Sequence, residues 1–232
     1  MKKYKHIFFD LDHTLWDFNK NASEALTEIY ILFDLPSEGI ESLELFLTAY
    51  RNRNEVMWEQ YRYGRIDKAT LRDKRFEFAL LDLGIENVLL SKSLSAEYTK
   101  RAPRKTALFP HAKEVLEKLS VSHKLHILTN GFKETQFIKL NSSGLDTYFT
   151  HILISEELGY KKPEIEIFNL ALNMAGTHKE ESVMIGDNLQ VDILGAKNAG
   201  IDQVYFNPEG LKHRETITFE IGSLQELLQI FL

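Results

Sequence analysis

The chain has 232 residues, with 28 Lys and Arg against 34 Asp and Glu, a formal net charge of −6, and no cysteine. A domain of this length can bury a core without covalent staples, and the missing thiols exclude disulfides, thiolate metal sites and a cysteine nucleophile. Net acidity argues against a general nucleic-acid binder, whose phosphate-facing surface must be basic. It leaves room for a small phosphorylated ligand held by local positive charge.

The basic start, Met1-Lys2-Lys3-Tyr4-Lys5-His6, runs into Ile7-Phe8-Phe9, and Asp10 and Asp12 then stop the apolar run. That run is too short for a signal peptide. No stretch approaches the roughly 18 apolar residues that span a bilayer. The expectation is a cytoplasmic protein with no membrane partner and no nucleic-acid strand as partner.

Ile7-Phe8-Phe9 predicts a buried strand. Residues 17–104 then hold no convincing strand and predict amphipathic helices over about 22–32, 42–63, 68–83 and 88–100, broken at Pro36 to Gly39, Gly64 and Gly84-Ile85. Beyond them, Leu125-His126-Ile127-Leu128, Ile152-Leu153-Ile154, Val183-Met184-Ile185 and Val204-Tyr205-Phe206 predict further strands. These runs do not alternate with polar residues, as expected of parallel strands covered on both faces. Helical patterns lie between them: 112–119 after Pro110, 134–141 stopping near Gly144, the stretch from Pro163 through 172, and 191–199 ending at Gly200. The order predicts an α/β protein, a doubly wound parallel sheet of Rossmann-like type. Its core would comprise residues 1–16 and 105–232, with a helical domain, 17–104, inserted after the first strand.

The predicted strand ends carry the chemistry. In such sheets, ligands bind beyond the carboxyl ends of the strands. The first strand leads into Asp10-Leu11-Asp12, two carboxylates whose mutual repulsion calls for a cation or a proton. Leu128 leads into Thr129-Asn130-Gly131, a hydroxyl and a turn entering a helix, where backbone N–H groups can bind an anion. Ile185 leads into Gly186-Asp187-Asn188 and, shortly after, Asp192. Lys161-Lys162-Pro163 presents lysine before a proline-started helix. Carboxylates, a hydroxyl and a lysine together suit Mg2+ and a phosphoryl group.

These four motifs, in this order, resemble those of the haloacid dehalogenase-like hydrolase superfamily, and the likeness covers nearly the whole chain. The resemblance implies that Asp10 is the nucleophile and Asp12 the general acid/base. It implies that Thr129 and Lys162, with Asn130 beside them, hold the phosphoryl group. Mg2+ would sit between Asp10, the main-chain carbonyl of Asp12 and Asp187, with Asp192 a further acid at the metal. An acid at position 12 is similar to the phosphatase branch; the dehalogenase branch lacks it. The insertion resembles a helical cap of the first type.

Finer likeness points to the pyrimidine 5′-nucleotidase subgroup, through Leu128-Thr129-Asn130-Gly131-Phe132, Ile154-Ser155-Glu156-Glu157-Leu158-Gly159, Met57-Trp58-Glu59-Gln60-Tyr61 and Arg75-Phe76-Glu77. The implied substrate is a nucleoside 5′-monophosphate. Phosphoglycolate or sugar-phosphate hydrolysis and a phosphomutase reaction remain alternatives. Trp16 and Phe18 follow the catalytic loop and are expected to touch a leaving group. Met57, Trp58 and Tyr61 fall at helical spacing and read as core of the insertion, while Arg62, Arg65 and the basic run 100–105 read as solvated surface.

Overall fold

The computed structural model describes residues 4–232; the basic Met1-Lys2-Lys3 start lies outside the described residues. Six strands form one sheet: β1 (His6–Phe9), β2 (Lys124–Thr129), β3 (Phe149–Ile154), β4 (Ser182–Gly186), β5 (Asp202–Phe206) and β6 (Phe219–Ile221). All neighbours are parallel and the order is β3-β2-β1-β4-β5-β6. The order reverses about β1, so the carboxyl ends of β1, β2 and β4 lie side by side. Phe9 is in register with both Ile127 and Ile185.

Among the described residues, ten α-helices follow in chain order. They are α1 (Phe18–Leu32), α2 (Leu43–Arg62), α3 (Lys68–Asp82), α4 (Val88–Arg101), α5 (Ala112–Ser120), α6 (Lys133–Ser143), α7 (Ser155–Leu158), α8 (Ile165–Ala175), α9 (Leu194–Asn198) and α10 (Leu227–Phe231). The chain divides into two compact units. One runs to Phe18 and resumes at Thr106–Leu232; the other is Asn19–Lys105. No described helix is long and apolar enough to cross a membrane.

Why β1 carries no polar residue between Ile7 and Phe9 is clear from its burial. Ile7 and Phe9 pack with Leu125, Ile127, Val183 and Ile185 against Val115, Leu116 and Leu119 of α5. Phe8 points the other way, onto Ile167, Phe168 and Ala171 of α8 and Ala196 of α9. Each such side chain contributes roughly 1.5–3 kcal/mol by leaving water. In the helical unit, Ser42, Asp67 and Asn87 cap α2, α3 and α4, each accepting a hydrogen bond from a first-turn N–H. Met57 and Tyr61 are buried there, and Trp58 is half-buried against Tyr61. The basic run is less solvated than its composition suggests, because Arg101 and Lys105 both pair with Glu28.

Three features depart from the sequence expectation. The helix expected over 191–199 opens as a single π-helical turn, Leu189–Ile193, before α9. Pro110 does not begin α5: His111 takes a left-handed φ of 66° and the helix starts at Ala112. β6 and α10 were not among the expected elements: β6 is three residues with a glutamate at its centre, and α10 follows a capping box of Ser223 and Glu226. Where α6 ends, the expected stop holds, with Gly144 at φ 64° as C-cap, a conformation that costs glycine little.

A column of imidazoles crosses the α8 face of the sheet, away from the carboxyl ends. His6 and His126 stack at 5.2 Å between ring centroids, and His126 and His151 at 5.3 Å. His6 Nδ1 and His126 Nε2 share a hydrogen bond of 3.0 Å. Burial pushes His126 down from 6.5 to about 3, and the neighbouring His6, His151 and Lys124 add to the shift. An unfolded chain would therefore take up this proton first. The resulting stability is complete above about pH 6.5 and is lost as pH falls toward 3. Urea unfolding should show stability falling by a few kcal/mol, order of magnitude, between pH 7.5 and 4.5. His126→Phe should flatten that slope; an unchanged slope would show that the stack is not its source.

Candidate active site

The chain leaves β1 at Asp10, whose N–H donates to Ile185 O on β4. Leu11 and Leu15 are fully buried, and the N–H groups of Leu15 and Trp16 both donate to Leu11 O. This tight apolar turn fixes Asp10 at the carboxyl ends of the central strands. Its Oδ1 accepts a 2.6 Å hydrogen bond from Lys162 Nζ.

Lys162 arrives from the loop before α8 and is 1% exposed. Asn130 holds that loop. Lys162 N donates to Asn130 Oδ1 at 2.9 Å, and Asn130 Nδ2 donates to Lys162 O at 2.8 Å. Lys162 Nζ also lies 2.6 Å from Asp192 Oδ1. Asp192 is brought in by the π-helical turn, and its Oδ2 accepts from Asn188 N at 3.1 Å. Gly186 is required here for room: a Cβ would stand 2.5 Å from the Asp192 carboxyl group. Asp187, at the end of β4, accepts from Thr14 Oγ1 at 3.1 Å.

Asp10, Asp187 and Asp192 each offer an oxygen within 4.8 Å of the others. Burial pushes the Asp10 carboxyl up to about 7; Lys162 opposes this, and Asp192 and Asp12 reinforce it. Burial likewise pushes Asp187 well up, joined by repulsion from Asp192 and Asp10. Lys162 is held charged: burial lowers its pKa, but Asp10 and Asp192 raise it more. Three carboxylates around one ammonium leave a net charge of −2 when ionised. Oxygen donors with that deficit suit a hard divalent cation.

The Asp12 carboxylate is not in this cluster. Its Oδ1 accepts from Lys139 Nζ at 2.5 Å and its Oδ2 from Gln136 Nε2 at 2.9 Å. Burial raises its pKa, but the charge and hydrogen bond of Lys139 with the hydrogen bond of Gln136 bring it below the ordinary value. Both oxygens of the Asp12 carboxylate are thus occupied. Thr129 is buried at the end of β2, and its Oγ1 accepts from Gly131 N at 3.0 Å. Sequence reasoning found α6 but missed Gln136 and Lys139. Their three-residue spacing puts them on one helix face, a signal that is visible only once the inward face is known.

Trp16 does not offer a ring face to a leaving group as expected. It is 1% exposed, and Lys139 Nζ sits 4.4 Å from its ring centroid. The apolar turn that fixes Asp10 draws it inward. Phe18 is half-buried, with the ring of His13 at 4.8 Å. His13 holds this place at a left-handed φ of 65°.

A parallel sheet that gathers carboxylates and a lysine at its carboxyl ends defines an α/β protein with its candidate site at the strand ends, and comparison with known proteins gives the family. The model of the haloacid dehalogenase-like hydrolases matches residues 4–200, and the chain belongs to that family. It is 33% identical to the pyrimidine 5′-nucleotidase PynA of Streptococcus pneumoniae over 97% of this chain and 94% of that one. It is 32% identical to a glyceraldehyde 3-phosphate phosphatase of Methanothermobacter thermautotrophicus, over 97% of this chain and 99% of that one. The crystal structure of the HAD-hydrolase YfnB of Bacillus subtilis, bound to magnesium, superposes with a TM-score of 0.88 at 28% identity, covering 99% of each chain. The protein is therefore an enzyme of the hydrolase class.

Lys162→Met removes the one ammonium among the three carboxylates. It should destabilise the fold by about 3–5 kcal/mol at pH 8, the cost of breaking a buried pair. The freed carboxyls would have folded pKa values raised above their unfolded ones, so this penalty is relieved as pH falls and they protonate. Urea titrations of variant and wild type at pH 8 and 5.5 should show the gap narrowing; a constant gap would contradict the charge account.

Proposed function

We propose that this enzyme is a Mg2+-dependent phosphomonoesterase that works through an aspartyl-phosphate on Asp10 and prefers pyrimidine nucleoside 5′-monophosphates. The observation that carries the reading is the buried contact of Asp10 Oδ1 with Lys162 Nζ beside Asp187 and Asp192. In this reading the Asn19–Lys105 unit is the inserted cap.

Asp10, Asp187 and the Asp12 carbonyl would hold the metal, with Asp192 at its edge. Bound Mg2+ would offset the repulsion between an anionic nucleophile and an anionic phosphate. The residues themselves do the rest. The free oxygen of Asp10 attacks phosphorus, forming an acyl-phosphate bond as the ester P–O bond breaks. Lys162 and Thr129 hold the phosphoryl oxygens. For this step Asp12 carries the proton that the second half of the preceding turnover leaves on it, and gives it to the departing alkoxide. The ionised Asp12 then takes a proton from water as that water attacks phosphorus, releasing phosphate and restoring the Asp10 carboxylate. The carboxylate form of Asp12 held by Lys139 and Gln136 corresponds to this second half.

The nucleotide preference is supported by the likeness to PynA and by Phe18, whose partly exposed ring adjoins the Asp12 loop. Base stacking on such a face is worth roughly 1–3 kcal/mol, about 5- to 150-fold in selectivity. The likeness to a glyceraldehyde 3-phosphate phosphatase favours a triose phosphate as the competing substrate.

Asp10→Asn should reduce turnover by several orders of magnitude with the fold intact, because the amide keeps the shape and loses the nucleophile. Wild-type-like hydrolysis by that variant would remove Asp10 from the mechanism. Chelation should abolish activity and Mg2+ restore it, with Asp187→Ala requiring far more Mg2+. Because the Asp10 carboxyl is pushed up to about 7, Mg2+ should bind more tightly as pH rises through that value, releasing protons. Phosphate release from pyrimidine nucleotides, phosphoglycolate and glyceraldehyde 3-phosphate, compared at saturating Mg2+, decides the substrate class. A triose phosphate hydrolysed more efficiently than every nucleotide would overturn the nucleotidase reading and leave the phosphatase reading standing.

A further inference from the structure

Both oxygens of the Asp12 carboxylate are taken by α6, and the way α6 reaches them is costly. Lys139 is 7% exposed and Gln136 1% exposed. The Lys139 ammonium lies in a slot between Asp12 and the rings of Trp16, at 4.4 Å, and Phe18, at 5.7 Å. Gln136 turns its amide nitrogen to Asp12 and leaves its own Oε1 buried without a partner. Buried amide oxygens are ordinarily satisfied, so this orientation is set by Asp12 and not by the amide's own needs.

The path is also cut into the backbone. A Cβ on Gly131 would fall 1.6 Å from Gln136 Nε2 and 2.4 Å from its Cδ. Gly131 has no left-handed φ, so glycine is needed there for the space that the amide fills. A buried ion pair is weak evidence of stabilisation, since an apolar pair of similar volume often does as well. Three residues of one segment, 131, 136 and 139, are thus committed to where one carboxylate lies.

We propose that Gln136 and Lys139 are positioning residues for Asp12, with Gly131 as the gap that admits the amide. They fix the carboxylate at the carboxyl end of β1, where the group that moves the proton must stand. The inference rests on the proposed function, which gives Asp12 that role.

The test uses the full chain with para-nitrophenyl phosphate and with uridine 5′-monophosphate. Displacement by about 1 Å can cost on the order of 100-fold. Lys139→Met should therefore lower kcat about 10- to 100-fold with KM nearly unchanged, and Lys139→Arg should recover most of the loss. Gly131→Ala, whose Cβ would displace the Gln136 side chain, should lower kcat in the same direction. In an Asp12→Asn background, single-turnover rates should show Lys139→Met adding almost nothing. Equal and additive losses with and without Asp12, or a change confined to KM, would overturn the proposal. An inactive Asp12→Asn beside a fully active Lys139→Met overturns this proposal alone. An Asp12→Asn protein as active as wild type overturns the role of Asp12 and this proposal with it.

Discussion

The ammonium of Lys162 lies 2.6 Å from an oxygen of Asp10 and 2.6 Å from an oxygen of Asp192, with almost no access to water. Any one of these ions buried by itself would cost several kcal/mol, so each is tolerable only because the others are there. The three residues come from β1, from the loop before α8 and from the π-helical turn after β4. Their mutual need ties the carboxyl ends of the sheet together. The Asn130 clamp on the main chain of Lys162 belongs to the same constraint, because a cation so confined must be aimed as well as neutralised.

Space is managed as closely as charge. Gly186 ends β4 and Gly131 lies in the turn from β2 into α6, and at neither does a left-handed φ call for glycine. At each, the volume of a missing Cβ is filled by a functional side chain, the Asp192 carboxyl in one case and the Gln136 amide in the other. Two ionic groupings then sit beside each other with different characters. Asp10, Asp187 and Asp192 outnumber their cation and are left short of positive charge. Asp12 is matched one to one by Lys139 and is held ionised. Separating the acids in this way allows neighbouring carboxylates to do different work.

Much of the fold could be read from local pattern. Ile7-Phe8-Phe9 and the later apolar runs are strands because both faces of a central parallel strand are covered, and the sequence shows this as an absence of alternation. Five helices between the first and second strands, four in the insertion and one after Pro110, were legible from spacing and from their breaks. Less was legible where the local signal is weak. β6 is a three-residue edge strand with Glu220 at its centre, and the π-helical turn depends on Asn188 capping two N–H groups at once. His126 read as one polar residue in an apolar run; its stacking between His6 and His151 depends on strand order.

The sequence by itself determined which chemical groups stand at strand ends: Asp10, Asp12, Thr129, Lys162, Asp187 and Asp192 are each one or a few residues past an apolar run or before a proline. That relation is local, so it survives in one dimension. Only the tertiary structure decided how these groups divide. It joined Asp187 and Asp192 to Asp10 and turned Asp12 onto Gln136 and Lys139, more than a hundred residues along the chain. It also sent Trp16 inward and put a lysine over its ring. The physical reason is that charge pairing and burial act through space, and the inward face of a helix is set by the sheet it packs on, not by the helix's own residues.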